Sequence, residues 1–233
     1  MAGSTTYQQR RGELEEYFDR TAADAWAKLT SDAPVSGVRA TVRAGRDAMR
    51  EQLLAWLPLQ LGSARILDAG CGTGALSVAA AARGAEVTAI DLSPTLVQLA
   101  DERRPRDLPG SIEFRTGDML DEGLGEFDHV VCMDSLIHYR APDIVNALER
   151  LAPRVRRSMV ITFAPKTAAL AAMHTVGRLF PRGDRAPAIE PVSEANLRRL
   201  IERSGILGDW QVANTRRISS GFYTSQAMEL RRS

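Results

Sequence analysis

Between Ile66 and Ser77 the chain runs ILDAGCGTGALS: an apolar stretch, three glycines at alternate positions, then an alanine-rich segment. This order of residues admits few structures. The apolar run makes a buried strand, and the glycines make a turn too tight for side chains, since glycine accepts left-handed backbone and lets a ligand approach closely. The alanines begin a helix, whose first turn offers N–H groups and partial positive charge to an anion. A strand that feeds straight into a helix commits the chain to crossovers between parallel strands.

The rest of the sequence repeats that unit. Apolar strands are predicted at 64–68, 86–90, 112–115, 129–133 and 158–163, with helices at 75–83, 94–104 and 142–151. Continuous apolar strands alternating with helices predict a parallel sheet covered on both faces. A helix at 193–204, capped by Ser193, and two strands at 211–217 and 223–230 complete the pattern. The expected fold is therefore α/β, Rossmann-like, with seven strands. Two pieces stand outside the alternation. Residues 1–45 form an N-terminal helical lid, with an apolar stripe of Leu14, Tyr17, Phe18, Ala22, Trp26 and Leu29 predicting a helix over 12–30. A second helix is predicted over 41–57. Residues 165–192, within the main domain of 46–233, are a Pro- and Arg-bearing insert after the fifth strand, placed as a substrate cap.

Composition narrows the function. Lys and Arg number 30 against 29 Asp and Glu, and no basic stripe is interleaved with aromatics, so a nucleic-acid partner is not expected. Cys71 and Cys132 form neither a metal pattern nor a disulfide framework, and no protein-bound metal is expected. No apolar run reaches a membrane span, and the first residues lack the apolar core of a signal peptide. A cytoplasmic protein is the expectation, with peripheral membrane contact left open.

The turn itself selects the cofactor. A dinucleotide fingerprint spaces its glycines G-x-G-x-x-G, whereas Gly70, Gly72 and Gly74 are spaced G-x-G-x-G, with Asp68 two residues ahead. A pyrophosphate beside Asp68 is repelled. An amino acid is not: its ammonium faces the acid and its carboxylate the helix. Asp91 ends the second strand, where an acid accepts both hydroxyls of a ribose, and Leu92 beside it packs on a base. Asp118 follows the third strand, positioned for an adenine amino group, with Met119 on the ring face. Three acids at successive strand ends describe a pocket for adenosine joined to an amino acid.

On DAGCGTG, IDLS and GDM the chain resembles the class I methyltransferases that use S-adenosyl-L-methionine (SAM) and release S-adenosyl-L-homocysteine (SAH). That resemblance implies that Asp68, Gly70, Cys71, Gly72 and Gly74 hold the methionine part. It gives Asp91 the ribose, and Asp118 and Met119 the adenine. The acceptor side is expected at MDSLIHY, where His138 orients the acceptor or takes a proton, or else is structural. Tyr17 is a candidate contact from the lid. His129 and His174 carry no such context. The [DN]-P-P-[FYW] tetrapeptide of amino-methylating enzymes is absent.

Three further stretches, YFDRTAADAWAKLTSDAPVS, VITFAPKTAAL…GRLFPRGDR…AIEPVS and FYTSQAMEL, resemble the magnesium-protoporphyrin IX O-methyltransferases of bacteriochlorophyll synthesis. The resemblance implies methyl transfer to a propionate of Mg-protoporphyrin IX, with magnesium as part of the substrate. It also implies hand-over from the porphyrin-carrying subunit of magnesium chelatase, and association with the photosynthetic membrane surface. Arg178, Arg182 and Arg185 of the insert are candidate partners for the second propionate. Two other readings stay open on the residues alone: a methyltransferase of another small carboxylate or hydroxyl acceptor, and a non-catalytic carrier of SAM or porphyrin.

The ribose assignment has a direct test. Asp91→Ala removes an ionised acceptor of two hydrogen bonds, each worth about 1.5–3 kcal/mol. Its SAM affinity by calorimetry is expected to fall at least ~100-fold while the circular dichroism spectrum is kept. Unchanged affinity removes Asp91 from the ribose.

Overall fold

Five parallel strands and a terminal antiparallel pair make one sheet in a computed structural model that describes residues 2–20, 37–166 and 189–233. The strands are β1 (Arg65–Ala69), β2 (Glu86–Asp91), β3 (Ser111–Thr116), β4 (Phe127–Cys132), β5 (Val155–Phe163), β6 (Trp210–Ser220) and β7 (Tyr223–Arg232). The described helices are α1 (Ala2–Arg20), α2 (Val38–Trp56), α3 (Ala75–Ala81), α4 (Pro94–Glu102), α5 (Ala141–Leu151) and α6 (Glu194–Glu202). The strand order is β3-β2-β1-β4-β5-β7-β6, with β7 antiparallel to both β5 and β6. This is the seven-stranded sheet that the alternation predicts.

Alternation along each strand divides the core between the two faces. Leu67, Val130, Met159 and Leu230 pack with Ile144, Leu148 and Leu151 of α5, Leu197 and Ile201 of α6, and Tyr7 and Leu14 of α1. Their neighbours Ile66, Val131 and Val160 pack on the opposite face with Met49, Leu53 and Leu54 of α2 and Leu76, Ala80 and Ala81 of α3. Both faces are covered, and polar side chains buried in the strands have partners there: His129 meets Ser158 at 2.7 Å, and Glu229 accepts from Asn214 at 2.6 Å.

The order of strands fixes where a ligand can go. Chain direction through the sheet reverses between β1 and β4, which lie side by side with Ile66 opposite His129 and Asp68 opposite Val131. The connections leave these two strands in opposite directions and open a crevice beyond their C-terminal ends.

Several boundaries differ from the sequence expectation, each for a local reason. Helix α1 starts at Ala2 rather than 12, and the stripe beyond residue 20 lies outside the described residues. Strand β5 begins at Val155, three residues early, because Val155 pairs with Phe127 across a bulge. Arg156 and Arg157 conceal this start; they are exposed and pair with Glu126 at 2.7 Å and Asp128 at 3.6 Å. Ser193 holds the N-cap position of α6 but its side chain makes no capping bond. Ser93 does cap: its hydroxyl accepts from Leu96 N–H at 3.2 Å, and Pro94 occupies the first turn of α4.

The chain leaves the sheet edge after β5 and returns to the same place. Lys166 N–H donates to Val192 and Val192 N–H to Ala164, at 2.9 and 2.8 Å. Most of the insert, residues 167–188 with His174, Arg178, Arg182 and Arg185, lies outside the described residues.

Leu148 is fully buried and Leu59 is 83% exposed. A buried Leu→Ala change costs about 2–5 kcal/mol. Leu148→Ala is therefore expected to lower the thermal midpoint by roughly 5–15 °C, while Leu59→Ala stays within about 2 °C. Equal shifts in calorimetry would contradict the assigned core.

Candidate functional site

The glycine turn sits at that crevice because its backbone is tied to β2. Gly70 and Cys71 N–H both donate to the Ile90 carbonyl, at 2.8 and 3.0 Å, and Gly72 N–H donates to Asp91 Oδ2 at 2.8 Å. Gly70, Gly72 and Gly74 all have left-handed backbone, with φ of 83°, 52° and 78°, which explains their alternate spacing. They differ in what surrounds them. A Cβ on Gly70 would strike Ser135 Cβ at 2.4 Å, and one on Gly74 would press on Phe114 and Ala100 at 3.0 and 3.1 Å. A Cβ on Gly72 meets no protein atom. That space belongs to the cavity, so the turn fits a ligand laid against its backbone.

Asp91 Oδ1 also accepts from Ser93 N–H at 3.0 Å. Each carboxylate oxygen therefore takes one backbone donor, which fixes its orientation and leaves lone pairs for two adjacent hydroxyls. Burial raises the Asp91 carboxyl above the ordinary carboxylate range, against the pull of these N–H groups. Asp68 lies deeper. Its carboxylate accepts from Ser77 Oγ at 2.5 Å, and burial, with a smaller push from the Asp91 charge, moves its pKa up to about 7. The Cys71 thiol is raised well above its usual value by burial and the two acids, so it stays a neutral wall group.

One continuous cavity of about 590 Å³ joins these groups, within the range of small-molecule sites. Asp68, Gly70, Cys71, Gly72, Asp91, Leu92, Asp118 and Met119 line it, as does His138. Gly74 does not; it lets α3 approach β3 and α4 closely. His138 stands in the 3₁₀ turn Leu136–His138 after β4 and is 7% exposed.

The contact from the first helix differs from the residue singled out in the sequence. Tyr17 is not among the residues lining the cavity, whereas Tyr7 and Leu14 are. Tyr7 donates its hydroxyl to Asp118 Oδ1 at 2.9 Å and stacks on Tyr139 with centroids 5.1 Å apart. Leu120 N–H holds the same oxygen at 2.9 Å. Burial, then the neighbouring Tyr139 and the charge of Asp118, keeps the Tyr7 hydroxyl protonated and donating. Further along α1, Asp19 accepts from Thr95 Oγ1 at 2.7 Å at the start of α4, and Arg10 pairs with Glu190 at 3.0 Å. Helix α1 thus lies across the side of the cavity that Asp118 lines. The signal for Tyr7 was its spacing of seven from Leu14, two turns along one helix face.

Asp134 is the second residue that the sequence left unassigned. It lies two residues beyond the end of β4, has φ 56° and lines the cavity together with His138. No local pattern marks it, because its partners come from distant elements.

Comparisons with known proteins agree with this geometry. A family model described as "Magnesium-protoporphyrin IX methyltransferase C-terminus" matches residues 132–232, and one described as "Methyltransferase domain" matches 66–158. A magnesium-protoporphyrin O-methyltransferase from Rhodobacter capsulatus is 48% identical over 97% of this chain and 98% of its own. One from Synechocystis sp. is 31% identical over 94% and 95%. The crystal structure of magnesium protoporphyrin IX methyltransferase from Synechocystis PCC 6803 with bound SAH aligns with a TM-score of 0.82 at 30% identity, covering 95% of this chain and 99% of that one.

Asp68 gives the site a pH dependence whose sign follows from its burial. An unfolded aspartate ionises near 3.9, so between about pH 4 and 7 the folded chain keeps a proton that the unfolded chain has lost. On its own this group lowers stability as pH rises through that window. An ammonium beside Asp68 favours the carboxylate, so ligand binding expels the proton. SAM affinity is expected to fall as pH drops from about 8 to 6, and Asp68→Asn to flatten the profile. Calorimetry in two buffers of different ionisation heat counts the proton released near pH 6.5. Equal counts in both proteins would remove Asp68 from the methionine end.

Proposed function

The chain belongs to the magnesium-protoporphyrin O-methyltransferase family, and we propose that it transfers the SAM methyl group to a propionate carboxylate of Mg-protoporphyrin IX, giving the monomethyl ester. The observation that carries this reading is the single cavity, which runs from the acids for methionine, ribose and adenine to the wall of Met133, Asp134 and His138. When bound, SAM supplies a sulfonium methyl that passes in line to a carboxylate oxygen, the C–O bond forming as the C–S electron pair returns to sulfur.

The residues of the chain supply position. A propionate is already ionised at neutral pH, with a reference pKa of about 4.3, so no strong base is needed and no proton has to move. Well-oriented reactants gain about 7–11 kcal/mol relative to free encounter. Asp68 and the glycine turn fix the methionine end, Asp91 the ribose, and Asp118 with Met119 and Leu92 the base. His138, buried on the acceptor side, orients the carboxylate by a hydrogen bond. Helix α1 lies over the adenosine half through Tyr7 and Leu14 and keeps water from it. The proposed lid is residues 1–45, of which 21–36 lie outside the described residues, and Tyr17 would contact the ligand only on closure of that lid. The proposed cap for the acceptor is residues 165–192, of which 167–188 lie outside the described residues, and the sheet domain over 46–233 carries the rest.

The porphyrin-carrying subunit of magnesium chelatase is the proposed donor of the acceptor, and the cytoplasmic face of the photosynthetic membrane the proposed place of work. Support for both is family membership together with a formal net charge of +1, which sets up no strong repulsion from either surface. Among the described residues no helix is long and apolar enough to cross a membrane.

Incubation with SAM and Mg-protoporphyrin IX is expected to add the mass of one CH₂ to the porphyrin, with SAH formed in equal amount. Binding of both ligands without that gain would make the protein a carrier. His138→Ala is expected to lower turnover about 10- to 100-fold, the value of one hydrogen bond to a charged group, with SAM affinity unchanged. Full activity in that variant assigns His138 to packing.

A further inference from the structure

The cavity wall that holds Met133 and His138 also carries a charge pair, Asp134 with Arg46. The Asp134 carboxylate accepts from Arg46 at 2.9 Å, from the Tyr223 hydroxyl at 3.1 and 3.2 Å, from Ser225 Oγ at 3.3 Å and from Thr162 Oγ1 at 3.4 Å. Its own N–H donates to Thr162 Oγ1 at 2.7 Å. These partners come from α2, β5 and β7. They hold in place a residue whose left-handed backbone is costly for anything but glycine, asparagine or aspartate.

A carboxylate fixed from so many sides is a rigid seat for whatever it holds. It holds the guanidinium of Arg46, a residue that also lines the cavity and keeps 22% of its side chain exposed. Arg43 and Arg50, three before and four after on the same face of α2, line the cavity as well, Arg50 in a 2.9 Å pair with Asp47. Apolar Leu76, Val78, Ala79 and Met133 border the same space.

We propose that Arg46, seated by Asp134, receives a carboxylate of the acceptor, and that Arg43, one turn earlier on the same wall, serves the second. This rests on the reading of the acceptor as a propionate-bearing porphyrin. A carboxylate leaving water for an apolar slot needs a cation, and the planar fork of arginine matches it. Asp134 adds two effects. It fixes where the fork points, and it takes up part of the charge on Arg46, so that the acceptor is held without being strongly quenched as a nucleophile. It also repels any carboxylate that Arg46 does not meet. The two arginines are separated by about 4.5 Å along the helix axis, which suits two propionates on one edge of a macrocycle.

The test compares Mg-protoporphyrin IX with its dimethyl ester, which has the same ring and no anionic group. Binding is read from quenching of protein fluorescence, and SAM affinity from calorimetry, for the wild type, Arg46→Ala, Arg46→Lys and Arg43→Ala. In Arg46→Ala the diacid is expected to bind about 10- to 100-fold more weakly, the ester within ~3-fold of wild type, and SAM as before. Arg46→Lys recovers part of the loss, and kcat/KM falls in parallel with diacid affinity. Arg43→Ala shows the smaller loss of the two. Equal weakening of diacid and ester, or weakening of neither, overturns the proposal. If the wild type binds the diacid but transfers no methyl group, the proposed reaction falls while the diacid–ester comparison still decides the carboxylate site. A wild type that binds neither porphyrin removes both.

Discussion

Three consecutive backbone N–H groups, those of Gly70, Cys71 and Gly72, are taken by the carbonyl of Ile90 and the carboxylate of Asp91. This seam between the glycine turn and the end of β2 is what the site depends on. It leaves the turn no freedom at the C-terminal edge of the sheet. It also orients Asp91 before any ligand arrives, with Ser93 N–H holding the other oxygen. A bed that is rigid beforehand binds without first spending ligand affinity on ordering itself. The left-handed backbone of Gly70 and Gly72 belongs to the same seam, where the chain turns sharply enough to bring three successive donors onto one neighbouring strand.

Around the seam the structure works by mutual contact between parts distant in sequence. Tyr7 reaches from α1 to Asp118, Asp19 to the start of α4, and Arg10 to Glu190 at the far end of the insert. Glu190 in turn donates its N–H to the Ile137 carbonyl, next to His138. The N-terminal helix, the return of the insert and the acceptor turn are thereby tied together over the mouth of one cavity.

What the sequence made legible divides along a physical line. The sheet, its helices and the cofactor acids were readable because each is written in a local pattern: apolar runs, a glycine spacing, an acid at a strand end. Asp68, Asp91 and Asp118 lie at the cavity wall where that pattern put them. The seven strands of the sheet match the number that the alternation predicts. Tyr7 was hidden because only one apolar partner, Leu14, marks its helix face in a segment otherwise polar. Asp134 was hidden more deeply. Its meaning depends on Arg46, Thr162, Tyr223 and Ser225, which stand 28 to 91 positions away and meet only when α2, β5 and β7 pack together. Gly74 reads in sequence like a ligand-contacting glycine, but its tight neighbours are Phe114 and Ala100, so its work is packing.

The bond from Tyr7 to Asp118 has a thermodynamic corollary. A ligand whose base also leans on Asp118 shares an anchor with the first helix, and two guests of one anchor cannot be independent. Whatever free energy the seated helix lends to the ligand, the bound ligand must return to the helix, in equal amount. Where the seated helix strengthens ligand binding, loss of the ligand loosens the helix, and removal of the helix loosens the ligand. Residues 2–20, which supply no strand, become in that case a gauge of whether the site is loaded.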